Sequence, residues 1–368
     1  MADEVLEKYM RRALALAEKG RGQTSPNPMV GAVIVKRGKI VSEGYHRCVG
    51  GDHAERVAIK KAGLKAKGAT LYVSLEPCCH IGRTGPCTDA IIQAGIRKVV
   101  FSVRDPNPRV NGKGARILRS AGVTVETGLL KKEARLLNEN YFGYHKNKRP
   151  FVILKTAQTL DGRIATVTGD SKWISGHESL KMVHQLRAEV DAVVIGMGTV
   201  RKDNPALTVR LVKGKNPYRI VMSQSLNFPR QCRLLDNNGD RKTIIATTPE
   251  AVERFSRTKR GSKGLIYWSL RIDSNGLLDP HDFITKATEF GFQSLLIEGG
   301  SSIATSFLKA GLVDKYIVVI APLVLGSGVS AIGEMHTRNI NDAVSFDCYS
   351  FQRSGTDNVF VGYPKRTV

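Results

Sequence analysis

The chain has 368 residues and carries 56 lysines and arginines against 33 aspartates and glutamates, a formal charge of +23. That length accommodates two domains or three, and 42% hydrophobic residues exclude a disordered or fibrous chain. No apolar run approaches the ~18–20 residues of a membrane-spanning helix, and the positive excess points to anionic partners, either nucleic acid or phosphorylated small molecules.

Residues 5–17 place Leu6, Tyr9, Met10, Ala13, Leu14 and Ala17 at helical spacing, ended by Gly20 and Gly22. Met29–Val35 and Ile40–Gly44 read as a hairpin turning at Lys36–Lys39. A helix over His53–Ala62 follows, then strand Ala69–Leu75, a Pro/Gly/Cys-rich loop and helix Thr88–Ala94. Strand Lys98–Val103, helix Ala115–Ala121 and strand Val123–Glu126 continue the alternation, which predicts an α/β layer. One helix is predicted over Lys131–Phe142. The basic stretch His145–Pro150 marks the boundary between domains of residues 1–147 and 148–368.

Alternation restarts beyond it. Strands are predicted at Phe151–Ala157, Ala192–Gly196, Tyr218–Ser223, Thr243–Thr247, Leu265–Trp268, Ser294–Ile297 and Lys315–Ala321. Helices are predicted at Ser179–Arg187 and Ile303–Lys309. Phe346–Gln352 and Val359–Tyr363 read as a closing hairpin. Residues 230–290 carry no distinctive motif and receive no function.

Three of the six cysteines, Cys78, Cys79 and Cys87, crowd into ten residues. The start MADEVLEK lacks the basic-then-apolar pattern of a signal peptide, so a cytoplasmic protein with reduced thiols is expected. In that setting clustered cysteines serve as metal ligands or nucleophiles. His53-Ala54-Glu55, then Pro77-Cys78, then Cys87, supply one imidazole and two thiolates. That set suits a zinc ion with a fourth position open, and such a zinc acidifies water to a pKa of about 7. Glu55, two residues after His53, is placed to shuttle a proton without ligating the metal. The layout is that of zinc nucleobase deaminases, except that eight residues separate the two cysteines where those enzymes have two.

Four motifs make the pattern more specific: SPNPMVGAVI, GDHAE, LEPCCHIGRTGPC and RDPNPRVNGKG. In this order they resemble the deaminase half of the bifunctional riboflavin-biosynthesis deaminase/reductase family. The resemblance covers residues 1–145 and implies a cytidine-deaminase-like three-layer α/β/α domain. It implies deamination of a diaminopyrimidinone that carries a ribosylamino 5′-phosphate, with His53, Cys78 and Cys87 on zinc and Glu55 catalytic. Asn27, His46, His80 and Arg83 match positions lining the family's substrate pocket. The chain departs from the family at Cys79, usually serine, and Gly85, usually proline. Cys79 adds a rival thiol beside Cys78.

In the second half, KTAQTLDGRIA, SKWISG, RAEVDAVVIG, DNPALTVR and IEGGSSI are similar to the reductase half of the same family. Glycines after strands suit close approach of a ligand, and a helix N-terminus favours anions, although no G-x-G-x-x-G is present. The resemblance implies a dihydrofolate-reductase-like α/β fold and NADPH-dependent reduction of the ribosyl group. It places Lys155, Ser175, Arg187, Asp203, Arg210 and Glu298 on substrate. Ala157, Trp173, Gly196, Thr199, Gly299 and Gly300 would lie along NADPH. Departures fall at Thr159, Ser223, Lys315 and Leu323. The family is usually oligomeric, so a homo-oligomer, a dimer or tetramer, is expected.

Two other readings stay open at this level. A nucleic-acid deaminase, such as a tRNA adenosine enzyme with an added domain, fits the charge and H-x-E but not the long cysteine loop. A scaffold with a structural zinc needs a fourth protein ligand, for which Cys79, Cys48 or His80 are available. The first reading implies no nucleic acid or membrane partner.

Overall fold

The computed structural model describes residues 2–82, 85–172, 174–259, 261 and 264–365, with side chains from residue 7 onward. Its contacts divide the chain into two compact units, Met1–Lys146 and Asn147–Val368.

The first unit runs α1 (Ala2–Glu18), β1 (Gly31–Lys36), β2 (Lys39–Tyr45), α2 (Ala54–Ala62), β3 (Thr70–Val73), α3 (Cys87–Gln93), β4 (Lys98–Phe101), α4 (Lys113–Ser120), β5 (Thr124–Thr127), α5 (Lys131–Leu137) and α6 (Glu139–Asn147). The strands order as β2-β1-β3-β4-β5. The first three are antiparallel neighbours and the last three parallel ones. Strand periodicity sorts the core. Ala32, Ile34, Leu71, Val73, Val99 and Phe101 meet Ala54, Ala58, Ile91, Ala115 and Leu118 of α2, α3 and α4. Their alternates Val33, Val35, Tyr72 and Val100 meet Tyr9, Met10, Ala13 and Leu16 of α1. The result is a three-layer α/β/α unit. Gly44 lets α2 lie directly on β2, because a Cβ there would stand 2.3 Å from the Ala54 carbonyl oxygen.

The single helix predicted over Lys131–Phe142 is two helices, and Asn138 makes the break. Its amide accepts from Met29 N at 2.7 Å and donates to Met29 O at 2.9 Å. This long-range pairing leaves Asn138 outside helical geometry, at φ −113° and ψ 32°.

The second unit comprises β6 (Phe151–Thr159), β7 (Arg163–Ala165), α7 (His177–Glu189), β8 (Ala192–Gly196), α8 (Met197–Asp203), β9 (Tyr218–Met222), α9 (Arg233–Asp236), β10 (Thr243–Thr247), α10 (Pro249–Ser256), β11 (Ile266–Ser269), α11 (Pro280–Glu289), β12 (Ser294–Ile297), α12 (Ser301–Lys309), β13 (Lys315–Ala321), β14 (Val329–Ser330), β15 (Phe346–Ser354) and β16 (Asp357–Pro364). Nine strands order as β11-β10-β9-β8-β12-β6-β13-β16-β15. The first seven are parallel, and the predicted closing hairpin β15–β16 adds antiparallel at β13. Buried on both faces, the parallel strands are near-continuous runs of Val, Ile, Leu and Ala, as such sheets require.

Residues 230–290, for which the sequence predicts two strands and no helix, hold three helices as well. Two had local signals: Thr248 and Asp279 cap α10 and α11 through side-chain oxygens, each with proline at the first helical position. Helix α8 also went unpredicted, because Gly196-Met197-Gly198 at its start reads as a turn.

Candidate active sites

The loop and helix starts beyond β2 and β3 build the first site. His53 is the N-cap of α2, Cys87 is the first residue of α3, and Cys78 lies on the loop leaving β3. Their ligand atoms all fall within 4.8 Å of one another. His53 Nδ1 lies 3.4 Å from both Cys78 Sγ and Cys87 Sγ. Zinc bonded tetrahedrally to nitrogen at about 2.0–2.1 Å and sulfur at about 2.3 Å sets such atoms roughly 3.6 Å apart, so the donor set and its spacing fit the metal. Among the described residues, no fourth His, Cys, Asp or Glu joins the cluster. Cys79, the rival thiol, instead points its Sγ at the Arg109 carbonyl, 3.6 Å away. A closed four-ligand structural site therefore has no support among the described residues, and three ligands leave a position for chemistry.

Electrostatics at the cluster favour one thiolate even without metal. Cys78 is drawn down to about 4, first by hydrogen bonding with Cys87 and then by His53, against its burial. The backbone N–H of Cys87, at the start of α3, also points at Cys78 Sγ from 3.4 Å. Glu55 is 3% exposed, and its Oε2 is buried with no hydrogen-bond partner. Burial, followed by the Cys78 charge, pushes its carboxyl up to about 7. A carboxyl balanced near neutrality with an unfilled oxygen is suited to receive and return a proton.

Asn27 and His46 come together beside this cluster. His46 Nε2 lies 3.1 Å from Asn27 Nδ2, and Nδ1 lies 3.1 Å from the Asp52 carbonyl. With Nδ1 donating and Nε2 accepting, one neutral tautomer satisfies both contacts, and burial depresses the ring's pKa accordingly. The His46 and His53 rings meet edge-on at 5.3 Å. His80 is half-buried with Nδ1 unpartnered. Arg83 lies outside the described residues.

In the second unit, sheet order makes the crevice. From β8 the chain leaves through α8 on one face, toward β9; from β12 it leaves through α12 on the other, toward β13. Connections that part between neighbouring parallel strands open a cleft at their carboxyl ends. Gly196 and Gly300 are the N-caps of α8 and α12, and neither helix has a side-chain cap. Their free N–H groups suit the phosphates of a dinucleotide. Thr199 and Gly300 adjoin, since a Cβ on Gly300 would lie 3.7 Å from Thr199 Oγ1. Gly196 and Gly299 have a packing reason to be glycine: a Cβ on either would stand 2.9 Å from the Ile303 side chain.

Lys155 on β6, Arg187 on α7 and Glu298 after β12 form a second grouping. Arg187 Nε and Nη2 donate to the two Glu298 oxygens at 2.7 Å each. Burial alone would lift Glu298, but the Arg187 charge and hydrogen bonds hold it down. Lys155 Nζ makes no hydrogen bond among the described residues, and burial lowers its pKa. His184, one turn before Arg187, escaped the sequence reading. It is 1% exposed, and its Nδ1 accepts the backbone N–H of Arg210 at 2.9 Å. Burial, then Arg187 and Arg210, drive it down to about 4, so its ring is neutral. The Arg210 guanidinium itself is exposed, with Nη1 donating to Thr208. Asp203 receives Ser171 Oγ at 3.4 Å. Ser175 lines a cavity of about 460 Å³ with Leu180, Leu323, Thr356 and Asp357. Ala157 is half-buried on β6. Trp173 lies outside the described residues.

These features define a two-unit enzyme. A deaminase unit presents His53, Cys78 and Cys87 in the pattern of a catalytic zinc site, and a mostly parallel α/β unit opens a dinucleotide crevice. Residues 3–103 match the cytidine and deoxycytidylate deaminase zinc-binding region, and residues 150–360 match the RibD C-terminal domain. The riboflavin biosynthesis protein RibD of Aquifex aeolicus is 45% identical over 360 residues, 98% of each chain. RibD of Acinetobacter baumannii superposes with a TM-score of 0.87 at 32% identity, covering 99% of this chain and 100% of that one. A Thermotoga maritima structure described as a diaminohydroxyphosphoribosylaminopyrimidine deaminase/5-amino-6-(5-phosphoribosylamino)uracil reductase superposes at 0.86 with 36% identity and the same coverage. The chain belongs to the RibD family of riboflavin biosynthesis proteins. It is a bifunctional deaminase and reductase whose cofactors are zinc and NADPH.

Proposed function

We propose that the chain carries out two consecutive steps on one phosphorylated pyrimidine. Residues 1–147 deaminate 2,5-diamino-6-ribosylamino-4(3H)-pyrimidinone 5′-phosphate by hydrolysis. Residues 148–368 then reduce its ribosyl group to ribityl with NADPH. The observation that carries this reading is the convergence of His53, Cys78 and Cys87 beside the buried, unpartnered Oε2 of Glu55.

His53, Cys78 and Cys87 would hold zinc, which when bound supplies an acidified water and a Lewis acid. Glu55 takes a proton from the attacking water and returns it to the departing amine, so that ammonia leaves and a carbonyl replaces it. Asn27 and His46 orient the ring edge, joined by His80. Arg83, a guanidinium, suits the phosphate.

In the reductase unit NADPH supplies the hydride. It lies along Ala157, Trp173, Gly196, Thr199, Gly299 and Gly300. Glu298 spends both oxygens on Arg187 and so fixes the plane of that guanidinium, leaving its outer edge to substrate oxygens. Lys155, free of protein hydrogen bonds among the described residues, offers its ammonium to the same oxygens. Ser175, Asp203 and Arg210 complete the substrate contacts. Arg83, Lys155, Arg187 and Arg210 thus supply positive charge for phosphorylated small molecules rather than nucleic acid.

The enzyme works in the cytoplasm as a homo-oligomer. Among the described residues no helix is long and apolar enough to cross a membrane. Edge strand β15 presents Tyr349 and Phe351, 61% and 64% exposed, the kind of edge that a second copy would cover. Purified protein given the diaminopyrimidinone phosphate and NADPH should release one ammonia per NADPH oxidised. The absence of both ammonia release and NADPH oxidation would overturn the proposal.

A further inference from the structure

The motif RDPNPRVNGKG has no role in the chemistry above, yet it sits against the loop that carries Cys78. The connection is Glu76, two residues before that cysteine. Its side chain is 3% exposed. Oε2 accepts the backbone N–H groups of Gly112 at 2.9 Å and Asp105 at 3.3 Å, and Oε1 accepts that of Ala115 at 3.0 Å. Helix α4 begins at Lys113 with Gly112 as N-cap and has no capping side chain of its own. Glu76 therefore caps this helix start, accepting the Gly112 and Ala115 N–H groups from 36 and 39 positions away.

The main chain beside it is held just as tightly. Glu76 N donates to the Val103 carbonyl at 3.0 Å. Pro77 O lies so close to α4 that a Cβ on Gly114 would stand 2.2 Å from it. Beyond, Thr88 N donates to the Cys78 carbonyl at 3.2 Å, and Cys87 N approaches Cys78 Sγ. The loop is thus clamped on both sides of the cysteine, to α4 by Glu76 and to α3 by Cys78 itself.

We propose that Glu76 is a positioning residue for the metal site: by gathering the N–H groups of Asp105, Gly112 and Ala115, it fixes the Glu76-Pro77-Cys78 segment so that Cys78 meets His53 and Cys87. This rests on the reading of those three residues as the zinc ligands. Two carboxylate oxygens are required because the donors fall on opposite sides. Glutamine can satisfy Gly112 and Asp105 with its one oxygen, but then turns its NH₂ toward the Ala115 N–H. Residues that fix a ligand typically change metal affinity 10–100-fold when altered.

The test uses the full-length chain as wild type, Glu76→Gln, Glu76→Ala and Cys78→Ala. Zinc affinity is measured by chelator competition, and the cobalt-substituted protein is followed through its thiolate-to-metal absorption. NADPH-dependent reduction of pre-deaminated substrate serves as an internal control. The expected result is a zinc affinity about 10-fold lower in Glu76→Gln and about 100-fold lower in Glu76→Ala. The cobalt band should weaken in the same order, with reduction unchanged. If Glu76→Gln binds zinc and cobalt like wild type while its unfolding midpoint falls, Glu76 is only a helix cap and the proposal is wrong. Should Glu76→Ala fail to fold, Glu76→Gln decides alone. Wild type without zinc, or Cys78→Ala retaining it, would instead overturn the ligand reading on which the proposal stands.

Discussion

The two units build their sites in opposite ways. In the first, the chemistry is compressed into two short stretches: His53 and Glu55 at one helix start, and Cys78 to Cys87 around one loop. In the second, the pair at the centre of the site, Arg187 and Glu298, lies 111 positions apart, and Lys155 comes from a third element. A compact site needs only that two helix starts and the one loop between β3 and α3 meet. A dispersed one needs the order of a whole sheet to be right, because β12 must insert between β8 and β6 before Glu298 can reach Arg187. The first kind can fail in chemistry while its fold survives. In the second, the residues proposed to bind substrate also carry stability.

The sharpest test of that contrast is Glu55→Gln. It should reduce deamination on the order of 10²–10⁴-fold while zinc content and the reduction of pre-deaminated substrate stay as in wild type. Zinc lost along with activity would show that Glu55 is structural, and the contrast would blur.

Glu298→Ala should do the reverse. It strands the Arg187 guanidinium, whose side chain is only 11% exposed, without its partner. Removing one member of a buried pair costs about 3–5 kcal/mol. Chemical denaturation should show that loss together with lost reduction, while ammonia release persists at temperatures where the first unit stays folded. Intact stability with lost reduction would mean that Glu298 serves the substrate alone.

Asn138→Ala is expected to cost about 1–3 kcal/mol, by orphaning the Met29 main-chain groups that Asn138 satisfies. The loss should appear in the unfolding of the first unit, with Michaelis constants for both reactions unchanged.

The last effect concerns pH and is confined to an acid window. The His184 ring lies at about 4 when folded against about 6.5 when unfolded, so the unfolded chain binds more protons between those values. Its contribution to stability is therefore complete above pH 6.5 and fades as pH falls toward 4. His184→Gln should flatten the pH dependence of the unfolding midpoint within that window and leave it unaltered above. A wild-type slope retained by the variant would assign the window to other groups.

Periodicity and punctuation sufficed for most strands. Ala192–Gly196, Thr243–Thr247, Ser294–Ile297 and Lys315–Ala321 stand where apolar runs and their breakers put them. Helices α10 and α11 carry N-cap and proline signals, but they are short elements in a stretch without a distinctive motif. Helix α8 hid behind two glycines. The break at Asn138 had no local sign, because its cause is Met29, 109 positions away.

The same division holds for the sites. The amino-acid sequence by itself determined the family and the donor types proposed for zinc, since a metal's preference for imidazole and thiolate is written in residue identity. Only the tertiary structure decided that Cys79 turns to Arg109 and stays outside the cluster. It alone showed that His184 holds the Arg210 backbone, and that a Cβ on Gly299 would stand 2.9 Å from Ile303 Cβ. Direction and close contact arise from the packing of distant segments, and residue spacing carries no record of them.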